Sequence, residues 1–327
     1  MKTVFSGIQP SGELHLGNYV GAVHNWVKLQ DQFRCIFCIV DLHAITQPYD
    51  VHEMRRRVDD MAIDLLSLGI DAERSILFVQ STVPEHAELG WVFNTIAHMG
   101  ELERMTQYKE KAAQQPEHIN VGIFDYPVLQ AADILLYKAE HVPVGEDQRQ
   151  HLELARDIAR RFNHHYGATF PECEMLKTEV PKLLGLQDER KMSKSLGNHL
   201  PMADVCDREA LWAKLKPARV DPARVKRSDP GNPDVCNIFT MHKVLSPPAD
   251  QEWSAHGCRT AAIGCLQCKE KLRENMLARF ASYCEKRAEL VAHPARVREI
   301  LHAGTAKASA IAKHTIGEVR ERLGLWH

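Results

Sequence analysis

Strand-like and helix-like stretches alternate through the first half of this chain, and that alternation limits the fold more than any other feature. Residues 2–6 are β-prone, and residues 34–40 (RCIFCIV) form a continuous apolar run of the kind buried on both faces of a sheet. Residues 75–80 and 141–144 are two further short strands. Between them, Leu16, Val20, Val23 and Val27 fall at helical spacing, as do Met54, Val58, Met61, Ala62, Leu65 and Leu66. Helices are also expected over 84–99, 102–113, 127–137 (with Pro127 as a starter) and 149–162. Strand–helix alternation kept up over roughly 170 residues predicts an α/β fold, a doubly wound parallel sheet with helices on both faces. Ligands in such folds bind at the carboxyl ends of the strands.

Composition mainly excludes. The chain has 327 residues, 44% hydrophobic, with a formal net charge of -2. That supports a sizeable core and up to three domains, and it gives no global attraction to nucleic acid. The first apolar run is too short for a signal peptide, and no stretch could span a membrane, so a cytoplasmic protein is expected. Its nine cysteines are then expected in metal, core or redox roles rather than disulfides.

Two stretches carry phosphate-type chemistry. The first strand runs into Gly7-Ile8-Gln9-Pro10-Ser11-Gly12, then His15-Leu16-Gly17-Asn18, then a helix. Strand, glycine turn and helix start place backbone N–H groups and a positive helix end where an anion could sit; a ligand-free turn has the same composition. Far along the chain, Lys191-Met192-Ser193-Lys194-Ser195 sits between an apolar run (180–186) and the turn Gly197-Asn198. Two cations and two hydroxyls in five positions suit a triphosphate whose charge redistributes during reaction. Most basic loops, however, are simply solvated.

Other positions suit a small ligand. Asp133 lies in an otherwise apolar helix, one turn after Gln130, with Tyr126 a turn earlier. A carboxylate there needs a partner: a ligand N–H, or a backbone N–H or arginine. His43 follows a strand end. Gly145-Glu146-Asp147-Gln148 opens a helix and could accept from ribose hydroxyls or an ammonium group, or be an ordinary cap. Cys35 and Cys38 in a strand point to opposite faces and read as core residues. Cys236, Cys258, Cys265 and Cys268, spaced C-x21-C-x6-C-x2-C, read as a metal site, for zinc or an iron–sulfur cluster alike. Cys173, Cys206 and Cys284 read as inert singles. The cations from Arg219 to Arg227 could touch phosphates. The end of the chain reads as two helices, 297–312 and 315–325, with Gly304 as a weak point.

Taken together, these segments resemble the class I aminoacyl-tRNA synthetases. His15-Leu16-Gly17-Asn18 resembles that family's HIGH signature, and Lys191 to Ser195 matches its KMSKS signature letter for letter. Within the class, residues 5–12, 100–107, 131–137 and 142–148 resemble the tryptophanyl branch, in order and over most of the chain. The resemblance implies a Rossmann-type catalytic domain (1–190), a helical anticodon-binding domain (196–292) and C-terminal helices (293–327) returning to pack on the helical domain. It implies activation of L-tryptophan by ATP, with Mg2+ riding on the nucleotide, and transfer to tRNA(Trp) by a homodimer.

By the same likeness, Lys111, Lys191 and Lys194 would attend the departing pyrophosphate. Gln9, Pro10, Ser11, His15, Gly17, Asn18, Gly145, Glu146, Asp147, Leu183, Met192, Ser193 and Ser195 would complete the ATP site. Phe5, His43, Tyr126, Gln130, Asp133 and Gln148 would hold tryptophan, with Asp133 accepting the indole N–H. Gln130 stands where many of the branch carry Met, and a tyrosine-type pocket also places Gln and Asp three apart, so tyrosine is the nearest alternative. A tRNA-binding paralogue without catalysis, another HIGH-type adenylyltransferase and an iron–sulfur sensor are the others. At the four cysteines the resemblance favours a [4Fe–4S] cluster over zinc, the first gap being one residue off the spacing of that subset.

Overall fold

The structure is a computed structural model that describes residues 1–106, 119–177, 183–194 and 196–326. Five parallel strands form one sheet: β1 (Thr3–Ile8), β2 (Arg34–Ile39), β3 (Ile76–Val79), β4 (His141–Val144) and β5 (Glu174–Lys177). Their order is β3-β2-β1-β4-β5, so the winding reverses between β1 and β4. This is the doubly wound arrangement expected from the alternation, of the Rossmann type that the resemblance implies. β5 went unseen in the sequence because its four residues, Glu174 to Lys177, are half-buried or exposed and lack an apolar run.

β1 pairs with β2 from Thr3↔Arg34 to Ile8↔Ile39, whereas β1 meets β4 at Val4↔His141. The two strands at the reversal part beyond that pair, and a crevice opens at their carboxyl ends. The interior strand β2 feeds both faces. Cys35, Phe37 and Ile39 join a core with Trp26, Met61 and Leu65, and Ile36 and Cys38 join another with Leu89, Phe93 and Leu135. Cys35 and Cys38 are therefore on opposite faces, as read. Trp26 stacks on Phe37 at 4.9 Å. Each large side chain buried this way contributes about 1.5–3 kcal/mol before entropy is counted.

The first helix is one run over 16–29 whose middle, Tyr19–Val23, is a wide π turn. The expected 84–99 helix divides into Glu85–Asn94 and Met99–Glu103. Pro127 does not start its helix. That helix is Val121–Leu136, and the Asn120 side chain caps it by accepting from Ile123 N at 3.0 Å. The capping asparagine sets the start, and Pro127 is carried inside.

Beyond residue 200 the chain is helical: Arg208–Leu215, Asn237–Leu245, Pro248–Arg259, Cys265–Arg279 and Ala281–Ala292. The last two expected helices are one, Pro294–Leu323. Gly304 does not break it; a Cβ there would lie 1.8 Å from Leu77 O in β3, so glycine allows the helix to cross the sheet edge. Arg320 pairs with Glu88, and Ala308, Ala312 and Ile316 enter the core behind β2. The tail thus returns to the sheet rather than to the helical part.

Cys206 and Cys284 are disulfide-bonded, with Cα atoms 5.4 Å apart, which corrects their reading as inert singles. Ala281–Ala292 packs over the segment preceding Arg208–Leu215, and a separation of 78 positions hid that neighbourhood. Among the described residues no helix is long and apolar enough to cross a membrane.

Candidate active site

The glycine turn after β1 and the lysine loop meet. Leu16 N donates to Leu200 O and Met202 N to Leu14 O, each at 2.8 Å, stitching the extended segment after the loop to the first helix start. A Cβ on Gly12, whose φ is +135°, would lie 3.8 Å from Lys194 Nζ, and one on Gly17 would lie 3.5 Å from Met192 Cβ. These are ordinary contact distances, so turn and lysine loop are direct neighbours; glycine itself is required at Gly12 by the positive φ and at Gly17 by the His15 ring, which an added Cβ would meet at 2.9 Å.

His15 and Asn18 form a reciprocal cap: Asn18 N donates to His15 Nδ1 at 3.3 Å and His15 N to Asn18 Oδ1 at 3.2 Å. Burial, with Lys194, His199 and Lys191 beside it, lowers His15 to about 3. The imidazole is therefore neutral at physiological pH, and because Nδ1 accepts, Nε2 carries the proton and can donate. Burial also lowers Lys194 to about 8, against the opposing pull of Glu13.

Asn198, buried, holds the loop's shape. Its Oδ1 accepts from Ser193 N at 2.8 Å, and its Nδ2 donates to Asp188 Oδ1 at 2.7 Å. Met192 N donates to Leu183 O at 3.1 Å, so Leu183 braces the loop from below through its carbonyl. Lys191 is exposed and Met192 buried. Gln9 lines the adjacent cavity, and Pro10 is buried beside Ser11 in the turn. Lys111 and Ser195 lie outside the described residues.

At the parted ends of β1 and β4 is a cavity of about 250 Å³, at the small end of ligand sites. All six residues expected to hold the amino acid line it: Phe5, His43, Tyr126, Gln130, Asp133 and Gln148. Asp133 is held by three side chains. Gln80 Nε2 donates to Oδ1 at 2.7 Å, His86 Nδ1 lies 2.6 Å from Oδ1, and His43 Nε2 lies 2.7 Å from Oδ2. Burial alone would raise this carboxyl, but His43 and His86 hold it at about 2. It is thus an anion, and both histidines present N–H to it.

Gln80 and His86 were missed in the sequence. Gln80 directly follows β3, a position where ligand-side residues gather, and that signal could have found it. Tyr126 OH is 2.9 Å from His151 Nε2, and Gln130 Nε2 is 3.4 Å from Gln148 Oε1. Beside the cavity, Glu146 is exposed and paired with Arg149, and a Cβ on Gly145 would crowd Asp147 Oδ1 at 2.5 Å.

Cys236, Cys258, Cys265 and Cys268 line one small pocket in the helical part. Burial raises the Cys268 thiol to about 11. Ser254 Oγ is 3.0 Å from Cys268 Sγ. Arg224 is not a surface phosphate contact: it is buried, with Nη2 donating to Ile263 O at 2.6 Å and Nη1 3.9 Å from Cys258 Sγ. Arg219 pairs with Glu189, which leaves Lys226 and Arg227 as the outward cations of that loop among the described residues. Among the described residues, no three His, Cys, Asp or Glu stand close enough together to hold a metal ion as placed.

Comparison with known proteins agrees with this geometry. Residues 1–281 match the family described as tRNA synthetases class I (W and Y). The tryptophan--tRNA ligase of Deinococcus radiodurans is 47% identical over 99% of both chains, and that of Thermotoga maritima 44% over 98% of this chain and 99% of its own. The crystal structure of tryptophanyl-tRNA synthetase from Campylobacter jejuni, complexed with ADP and tryptophan, superposes with a TM-score of 0.90 at 35% identity, over 99% of this chain and all of that one. The chain belongs to the class I tRNA synthetases of the tryptophan and tyrosine family.

Proposed function

We infer that this enzyme is a tryptophan–tRNA ligase, which activates L-tryptophan with ATP and transfers it to tRNA(Trp). The observation that carries the reading is the closure of Gly12 and Gly17 on the Lys194 loop, beside a cavity floored by an ionised Asp133. Full-length relatives carrying that activity in their names support it.

The reaction needs no protein nucleophile. The amino-acid carboxylate attacks the α-phosphorus, an oxygen–phosphorus bond forms, the bond to the β-phosphate oxygen breaks, and pyrophosphate leaves. A ribose hydroxyl of the tRNA then takes the acyl group and AMP departs. Catalysis is positioning and charge stabilisation. Lys194 and Lys191 accompany the departing pyrophosphate. Gln9, Ser11, the His15 Nε2–H, Gly17 and Asn18 line the nucleotide, with Gly145 and Asp147 near its ribose. Mg2+ travels with the ATP phosphates.

Asp133 accepts the indole N–H. A site built to receive that proton leaves a buried anion unpaired when a ring without it enters, which in comparable sites discriminates by roughly 10⁴–10⁵. ATP–pyrophosphate exchange tests the reading: it is expected with tryptophan and not with tyrosine. Exchange with tyrosine alone would move the enzyme to the other branch, and exchange with neither would leave a non-catalytic tRNA-binding protein.

We read residues 1–190 as the catalytic domain and 196–292 as the anticodon-binding one. Two observations support a thiolate-bound group, the four thiols lining one pocket and Arg224 bringing a positive charge against Cys258, and binding it would require the thiols to draw closer than they stand here. Cys236, Cys258, Cys265 and Cys268 would hold a [4Fe–4S] cluster, with zinc as the alternative, in a structural or anticodon-reading role. Brown anaerobic protein supports the cluster, since zinc is d¹⁰ and colourless. A homodimer is consistent with Trp91, Met99 and Val121, which are 73%, 64% and 80% exposed on neighbouring helices.

A further inference from the structure

His86 is fully buried and takes no part in the steps above. It links two other buried groups. Its Nδ1 is 2.6 Å from Asp133 Oδ1 and its Nε2 is 2.8 Å from Tyr137 OH. Facing an ionised carboxylate, Nδ1 must donate. The phenol of Tyr137, pushed far above its ordinary range by burial, keeps its proton and can give it to Nε2. With Nδ1 donating to Asp133 and Nε2 accepting from Tyr137, every polar atom in this chain of contacts is satisfied. Phe78 stacks on the His86 ring at 5.8 Å and Phe5 on Tyr137 at 5.5 Å, so the two rings are held by packing as well.

A carboxylate offers about four acceptor positions. At Asp133, Gln80 and His86 occupy both on Oδ1, and His43 occupies one on Oδ2. One remains, on an oxygen of a residue that lines the cavity. We propose that His86 is a positioning residue for amino-acid selection: relaying from Tyr137, it locks Asp133 so that a single acceptor position faces the substrate. The site then takes a side chain with one N–H donor and leaves that position empty for an isostere without it. This rests on the ligase reading and goes beyond it, because it assigns selectivity to a residue that never touches the substrate.

The test compares L-tryptophan with its benzothiophene isostere, in which sulfur replaces the N–H, in ATP–pyrophosphate exchange. His86→Asn keeps an amide donor where Nδ1 stands. His86→Gln moves it to where Nε2 stands, away from Asp133. Both are polar and close in size to histidine. The expected result for Gln is a rise of about tenfold in KM for tryptophan with kcat within about threefold, and a selectivity ratio at least about tenfold lower. Asn is expected to keep the ratio within about threefold. An unchanged ratio in His86→Gln, or equal losses for both substrates in both variants, would overturn the proposal. Absence of tryptophan-dependent exchange in the unaltered enzyme would sink the ligase reading instead, so the two failures are distinguishable.

Discussion

At the scale of single residues, the chemistry depends on groups whose charge is set by burial. Lys194 is the clearest case. Its ammonium is the useful form, burial favours the neutral one, and its pKa falls to about 8. The cation is therefore present below that value and lost as pH rises through it. We predict that kcat/KM for ATP in the exchange reaction declines above about pH 8, and that Lys194→Arg, whose guanidinium stays charged, flattens this alkaline limb while lowering the plateau. A decline identical in both proteins would assign the limb to another group. Asp133 was legible in the sequence as a carboxylate misplaced in an apolar helix. Its partners were not, because Gln80 and His86 come from 53 and 47 positions away. No local pattern records which distant donors will converge on a buried anion.

Among the elements, strands and helices with strong periodicity were readable, and their ends and joints were not. The run 34–40 became β2 because it is apolar from Cys35 onward, whereas β5, with no apolar run, left no trace. Gly304 shows why a joint misleads. Composition suggests a break between two helices, yet the glycine is there because β3 passes too close for a Cβ. Two substitutions in that helix should move stability in opposite directions. Gly304→Ala, forced against Leu77 O, should cost about 1–3 kcal/mol or more. Gly317→Ala, with nothing within 4 Å of the added Cβ, should gain about 0.5–1 kcal/mol from helix propensity. Denaturant titration of both variants measures this, and equal shifts of one sign would refute the close approach at Gly304.

For the whole molecule, the doubly wound sheet and its switch-point cavity followed from the strand–helix alternation, and the ligand identities followed from motif resemblance. What remained hidden is how the helical part sits on the sheet. Ala281–Ala292 meets Val51–Ser67 through Asp64, which accepts from Tyr283 OH and from Arg287 Nε, both at 2.9 Å. Those contacts lie more than 200 positions apart and carry no sequence signature. The central claim is that the turn at Gly17 and the loop at Lys194 act on one triphosphate. A double-mutant cycle on tryptophan-dependent exchange tests it most directly. If Gly17→Ala and Lys194→Ala disturb the same bound ATP, the double variant will fall short of the product of the single losses by at least about tenfold, a coupling above about 1 kcal/mol. Losses that simply multiply would mean that the two segments work independently and would contradict the account.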